Sequence, residues 1–186
     1  IIKDRRGNLW LGSIGEGSFK LDFNKIPIRN YPLTEIKSMI NAQSYVTKLC
    51  QTNKGNMLLV INRIGIFDFN AATGKVIRPD NADLRGLNSI TAILNLHNSD
   101  YLWITNEGEN KIHIFKQENN GQLQKQSEID LSKINRAAEN SISALFQDNT
   151  GSVWIGSNVG LYQRTPQGKL KEISSKVRLV NSINED

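Results

Sequence analysis

The chain has 186 residues, 38% hydrophobic and 22% charged, a composition ordinary for a β-rich, loop-rich globular protein. Its net charge is +5, but the basic residues are scattered and Arg5-Arg6 is the longest basic run, which argues against nucleic acid as a partner. No apolar run approaches the roughly 20 residues of a membrane span, so direct insertion of this segment is not expected, and the single Cys50 excludes an internal disulfide framework and a cysteine metal site.

Three stretches repeat one pattern. They are Asp4-Arg-Arg-Gly7-Asn-Leu-Trp10-Leu-Gly12-Ser13, Asp100-Tyr-Leu-Trp103-Ile-Thr-Asn106 and Asp148-Asn-Thr-Gly151-Ser-Val-Trp154-Ile-Gly156-Ser157. A degenerate fourth, Asn53 to Ile61, carries Leu58 at the tryptophan position. The anchors stand at 10, 58, 103 and 154, spacings of 48, 45 and 51, and such a period filled with short β segments predicts an all-β protein built of propeller blades. Each blade is expected to hold four antiparallel strands, in repeat units 1–48, 49–97, 98–144 and 145–186.

In chain order, the first unit predicts strands near 8–13, 17–22 and 26–31. The second predicts 45–51, 56–61, 65–69 and 75–78, with Cys50 a small buried hydrophobe beside Val46, Leu49 and Met57. The third predicts 89–96, 101–105, 111–116 and 123–129, and the last 142–147, 152–156, 161–165 and 169–173. Between the units lie longer connections, of which 31–44 and 133–139 read as carrying a helical turn, the first from the spacing of Leu33, Ile36, Met39 and Ile40.

Local chemistry supports the turns. Asp4 and Asp148 are placed to bond backbone two residues on, and Gly7 and Gly151 to take positive φ. Each tryptophan is expected between adjacent blades with its N–H on a carbonyl. Gly12 and Gly156 are expected where strands crowd together. One carboxylate per turn falls far short of the six to eight oxygens calcium takes, so no metal and no cofactor is expected.

Residues 1–4 and 183–186 both match Leu145 to Asp148. Start and stop at one phase of the repeat lead us to expect a fragment of a larger ring, with a self-closed four-blade body as the alternative. Open blade edges would then favour self-association.

Asp148 through Tyr162 resembles the two-component regulator propeller repeat almost throughout, and Asp4 through Ser13 matches with Leu at position 11. The second unit keeps Gly55-Asn56 and Gly65-Ile66-Phe67; the third keeps Trp103. The resemblance implies the periplasmic sensor region of a Bacteroidetes hybrid two-component histidine kinase: a non-catalytic module, extracytoplasmic, sensing a ligand such as an oligosaccharide, with a kinase elsewhere in the full-length protein. No kinase motif lies in these residues. A propeller that only scaffolds protein–protein contacts is the alternative. Leu102 to Ile112 also looks like one blade of the streptogramin lyases, enzymes with a histidine base and a metal. That pattern occurs once here, and the two histidines, His97 and His113, read as structural or solvated.

No catalytic constellation is legible. If a ligand binds, propeller geometry puts the loop between second and third strands and the connection between blades on one face. Those segments carry Glu16, Arg63, Glu107, Asn110 and Asn158, with Tyr31, Arg85 and Arg136 from the connections, side chains of the planar and hydrogen-bonding kinds that sugars use.

Overall fold

The computed structural model describes residues 1–5, 8–13, 17–21, 29–31, 36–41, 43–79, 81–119, 121–134 and 141–185. These divide into two compact units, Ile1–Ser89 and Ile90–Asp186. Each unit holds two four-stranded antiparallel sheets, and in every sheet consecutive strands are neighbours.

In the first unit, one sheet is β1 (Ile2–Lys3), β2 (Leu9–Ser13), β3 (Gly17–Leu21) and β4 (Arg29–Tyr31). The other is β5 (Val46–Gln51), β6 (Met57–Ile61), β7 (Gly65–Phe69) and β8 (Val76–Ile77). In the second unit, β9 (Ile90–Asn95), β10 (Tyr101–Asn106), β11 (Lys111–Gln117) and β12 (Leu123–Asp130) form one sheet. The last is β13 (Ile142–Gln147), β14 (Val153–Ser157), β15 (Leu161–Arg164) and β16 (Leu170–Ser174). This is the expected blade meander: β2, β3 and β5 to β16 lie within one or two residues of the expected bounds, β1 was not foreseen, and residues 26–28 of the strand expected at 26–31 lie outside the described residues.

Second strands read as continuous apolar runs because both of their faces are covered. All five residues of β6, Met57-Leu-Leu-Val-Ile61, are buried, and so are Leu102, Trp103 and Ile104 of β10. In the first unit the core between sheets gathers Trp10, Val46, Leu59, Phe67, Phe69 and Val76. Trp10 meets Phe69 edge-on at 5.7 Å between ring centroids, and Tyr31 meets Phe69 at 5.0 Å. In the second unit Trp103 packs with Ile112, Leu131, Val153, Ile155 and Tyr162. Arg164 lies over the Trp103 ring at 5.4 Å. Burial of each such side chain contributes about 1.5–3 kcal/mol.

First strands share one irregularity. The register slips between Val46 and Lys48, and between Ile142 and Ala144, and β9 slips opposite Thr105/Asn106. The extra residues are Thr47, Ser143 and Thr91, one bulge repeated in three blades.

The connections hold short tight turns. Met39 N–H donates to Ile36 O at 2.8 Å, and Ile36 is buried whereas Met39 is exposed. Leu33 lies outside the described residues. A 3-10 helix at Leu131–Lys133 precedes the segment expected to turn, most of which lies outside the described residues. A second, at Ala82–Leu84, was not foreseen; Asn81 caps it by accepting the Asp83 N–H at 2.8 Å. Among the described residues no helix is long and apolar enough to cross a membrane.

Candidate functional site

The repeated turns are built around carboxylates. Asp148 Oδ1 accepts from Thr150 N (2.9 Å), Thr150 Oγ1 (2.6 Å) and Ser152 N (2.9 Å), while Oδ2 accepts the Trp154 indole N–H at 2.7 Å. Asp4 does the same for Asn8 N (2.9 Å) and Trp10 Nε1 (3.0 Å). At Trp10 and Trp154 the indole N–H therefore goes to the turn aspartate, not to a carbonyl as the sequence suggested. The Thr150 hydroxyl, then the indole and backbone donors, hold the Asp148 carboxyl below the usual carboxylate range. Gly151 closes that turn at φ 82°, a region that favours glycine. Gly7 lies outside the described residues. In the second blade Thr52 and the buried Leu58 replace the Asp–Trp pair. There Asp68 on β7 is half-buried, and desolvation pushes its carboxyl up although Asn56 Nδ2 donates to it at 3.3 Å.

Two clefts open where loops were expected to converge, one in each unit. The first, of about 320 Å³, lies in the second blade between the β6–β7 turn and the connection after β8. Ile64, Gly65 and Ile66 form one wall, and Arg78, Asn81, Leu84 and Arg85 the other. Arg78 is held in place: Nη2 donates to Ile64 O at 3.2 Å and the guanidinium lies over the Phe67 ring at 5.9 Å. Arg85 is exposed and its guanidinium has no hydrogen bond or ion pair among the described residues. Arg63 is exposed at the tip of the β6–β7 turn, in the left-handed region at φ 60°.

The second cleft, of about 440 Å³, is the matching place in the third blade, lined by Gly108, Glu109, Asn110, Lys111, Asp130 and Ser132. Behind it runs a polar network that sequence reasoning missed. Glu109 Oε2 lies 2.7 Å from His113 Nε2, and Glu128 Oε1 lies 2.7 Å from Lys111 Nζ. Lys111, by hydrogen bond and charge, holds the Glu128 carboxyl below its ordinary range. Cross-strand pairing of His113 with Glu128 brings these groups together, a register that spacing alone does not give. His113 is buried, with 7% of its surface exposed, so the imidazole is closed to a substrate. His97 is exposed on a turn.

The remaining candidates are placed as follows. Tyr31 ends β4 with its ring stacked on Trp10 at 6.2 Å and its hydroxyl donating to Ala71 O at 3.1 Å, so packing occupies it. Glu107 is exposed at the tip of the β10–β11 turn. Asn110 lines the second cleft. Asn158 ties its turn to the start of β13, since its Oδ1 accepts Ser141 N–H at 2.8 Å. Arg136 and Glu16 lie outside the described residues. The structure thus puts Arg85 in one cleft and Asn110 in another, with Arg63 beside the first.

The fold and turns define a class: an all-β protein of the β-propeller kind, built of four-stranded blades. Residues 138–159 match the two component regulator propeller family. The match falls on the Asp148–Trp154 turn and its flanking strands, and it bears out the resemblance read there. A comparison with curated proteins finds no match.

Solved structures share the fold. The extracellular domain of the proposed hybrid two component system BT4673 from B. thetaiotaomicron matches at TM-score 0.66 and 18% identity, over 96% of this chain and 23% of that one. PorZ, a bacterial surface component of the type-IX secretion system of Porphyromonas gingivalis, matches at 0.66 and 19%, over 96% and 28%. A periplasmic gluconolactonase from Pseudomonas aeruginosa matches at 0.59 and 10%, over 91% and 54%. At such identities the likeness is one of fold, and it spans the extracellular domain of a two component system, a secretion-system component and a gluconolactonase. The chain spans about a quarter of the length of the first two.

Proposed function

We propose that this chain is a non-catalytic, ligand-sensing segment of the extracytoplasmic, periplasmic sensor of a hybrid two-component system, and that it detects an oligosaccharide. The regulator propeller repeat at 138–159 carries this reading, and the fold shared with the BT4673 extracellular domain supports it. Arg85, with Asn81 and Arg78 beside it, offers donors in the forked, planar geometry that sugar hydroxyls and carboxylates accept. A ligand seated there bridges the β6–β7 turn and the connection to the next blade. It would shift the balance between two placements of that connection only through its differential affinity for them. The lyase reading has less support, because the one buried histidine is shut behind Glu109.

The test is calorimetric titration of the chain with a panel of neutral and acidic oligosaccharides, with Arg85→Ala in parallel. Saturable binding that Arg85→Ala weakens at least tenfold is expected. No binding across the panel, or turnover of any member, overturns the reading.

A further inference from the structure

The two clefts occupy matching places in the second and third blades, yet they differ in charge. Arg78 and Arg85 line the first, and no carboxylate stands among its described lining residues. Asp83 of the same 3-10 turn is exposed and is not among them, and Asp80 lies outside the described residues. Glu109, Lys111 and Asp130 line the second. There the lysine is already neutralised, since Lys111 Nζ lies 2.7 Å from Glu128 Oε1.

The length of the outer strand accounts for the difference. In the second blade that strand, β8, is only two residues long, and the chain leaves it at once through Arg78 and Pro79 toward Asn81–Arg85. In the third blade β12 runs for eight residues and ends on Asp130, whose carboxylate accepts Ser132 N–H at 2.9 Å to start the next turn. A short outer strand thus brings arginines to the cleft wall where a long one brings a carboxylate.

The arginines divide the work. Arg78 spends one N–H on Ile64 O at 3.2 Å and lies over the Phe67 ring at 5.9 Å, which fixes its plane. Arg85 is exposed, and its guanidinium has no hydrogen bond or ion pair among the described residues. Arg63, at the tip of the β6–β7 turn, adds a third positive charge beside the cleft and raises the local potential for an incoming anion. A guanidinium gives up water more readily than an ammonium and meets the two oxygens of a carboxylate with two parallel N–H groups. Next to these forks Ile64, Ile66, Pro79 and Leu84 form an apolar wall in a space of about 320 Å³. Such a wall suits the C–H face of a sugar ring, which a bare inorganic anion lacks.

We infer that this cleft selects acidic saccharides: it takes a uronic acid residue, with the carboxylate on Arg85 and the ring against Ile64 and Leu84. The inference rests on the reading of the cleft as a saccharide site and adds what that site prefers.

The experiment is calorimetric titration of the chain with matched probes. They are trisaccharides of galacturonate, glucuronate and mannuronate, each beside its carboxyl-reduced form, which keeps the rings and hydroxyls but carries CH₂OH for the carboxylate. At least one uronate is expected to bind at least tenfold more tightly than its reduced partner. That advantage should shrink at least threefold between about 0.05 and 0.5 M salt, because the charges are exposed and screened. Arg85→Gln, which keeps a planar amide without the charge, should bring the two forms to within twofold of each other. Lys171→Gln, which removes an exposed charge from β16, should leave the advantage intact. Reduced and acidic forms that bind equally, and still depend on Arg85, leave the saccharide reading standing and overturn the acidic preference. An equal loss of preference in Lys171→Gln assigns the effect to the net charge of the chain and also overturns it. Tighter binding of a sulfated galactose trisaccharide than of every uronate gives the arginines to sulfate and overturns it as well. Binding by no member of the set overturns the inference and the saccharide reading together.

Discussion

Asp148 and Trp154 are joined through the aspartate Oδ2 and the indole N–H at 2.7 Å, and Asp4 and Trp10 repeat the bond at 3.0 Å. The six-residue spacing in the repeat is thus a hydrogen-bonding distance. The turn places the carboxylate, the carboxylate fixes the ring, and at Trp10 the ring fills the space against the next blade.

Removing the carboxylate of Asp4 leaves Asn8 N–H and Trp10 Nε1–H without their acceptor in a buried setting. Asp4→Ala is expected to cost about 1–3 kcal/mol. In a Trp10→Phe background the cost should shrink, since one stranded donor has gone. Denaturant unfolding of the four proteins of this cycle checks it; strict additivity would separate the aspartate from the indole.

Two aspartates give opposite pH signatures. Asp148 is held below the usual carboxylate range by Thr150 first, so its contribution is present above the ordinary aspartate pKa of about 4 and is lost as pH falls through its lowered value. Burial raises the Asp68 carboxyl, so its ionisation opposes folding as pH rises from about 4 through the raised value. Melting temperatures against pH should show Asp148→Asn losing stability at neutral pH and converging with wild type in acid. Asp68→Asn should gain at neutral pH and likewise converge in acid. The same sign for both would contradict the assignments.

The three tryptophans are not equivalent. Trp103→Ala should cost about 3–5 kcal/mol, as deletion of a fully buried ring does, and Trp154→Ala clearly less because one flank of its ring is open. Thermal unfolding of the two variants compares them directly. Equal losses would show that Trp154 is as enclosed as Trp103.

Gly156 and Val180 make a packing pair that substitution can test. Gly156→Ala drives a methyl into Val180, whose Cγ1 would lie 2.5 Å away. Overpacking of this kind typically costs about 1–3 kcal/mol, and here it should free residues 180–185 for proteolysis. Val180→Ala added to Gly156→Ala should restore protection. Failure of the second change to rescue the first would remove Val180 from contact with Gly156.

Most of the fold was legible because blade strands announce themselves twice, by apolar β-prone runs and by the turns between them. Met57 to Ile61 has no Trp and no Asp turn, yet its place in the period and Gly65 after it were enough. The sites were less legible. Propeller topology placed the loops that line both clefts, and Arg85 and Asn110 stand among the lining residues. Nothing in the local sequence of Tyr31 shows that it packs against Trp10 and Phe69. The Glu109–His113–Glu128 network depends on cross-strand register over a bulge between Ile114 and Phe115, which is set by tertiary packing. Arg78, which shares the cleft with Arg85, looked like the unremarkable end of an outer strand until the β6–β7 turn came to rest on it.

An oligosaccharide seated, as proposed, in the cleft between the β6–β7 turn and the connection after β8 would protect the backbone on both walls. Hydrogen exchange read by mass spectrometry, with and without the tightest-binding oligosaccharide of the panel, decides whether it does. Slowed exchange confined to residues 62–66 and 78–85, and absent in Arg85→Ala, is the predicted result. Exchange unchanged there, or slowed only elsewhere in the chain, would contradict it.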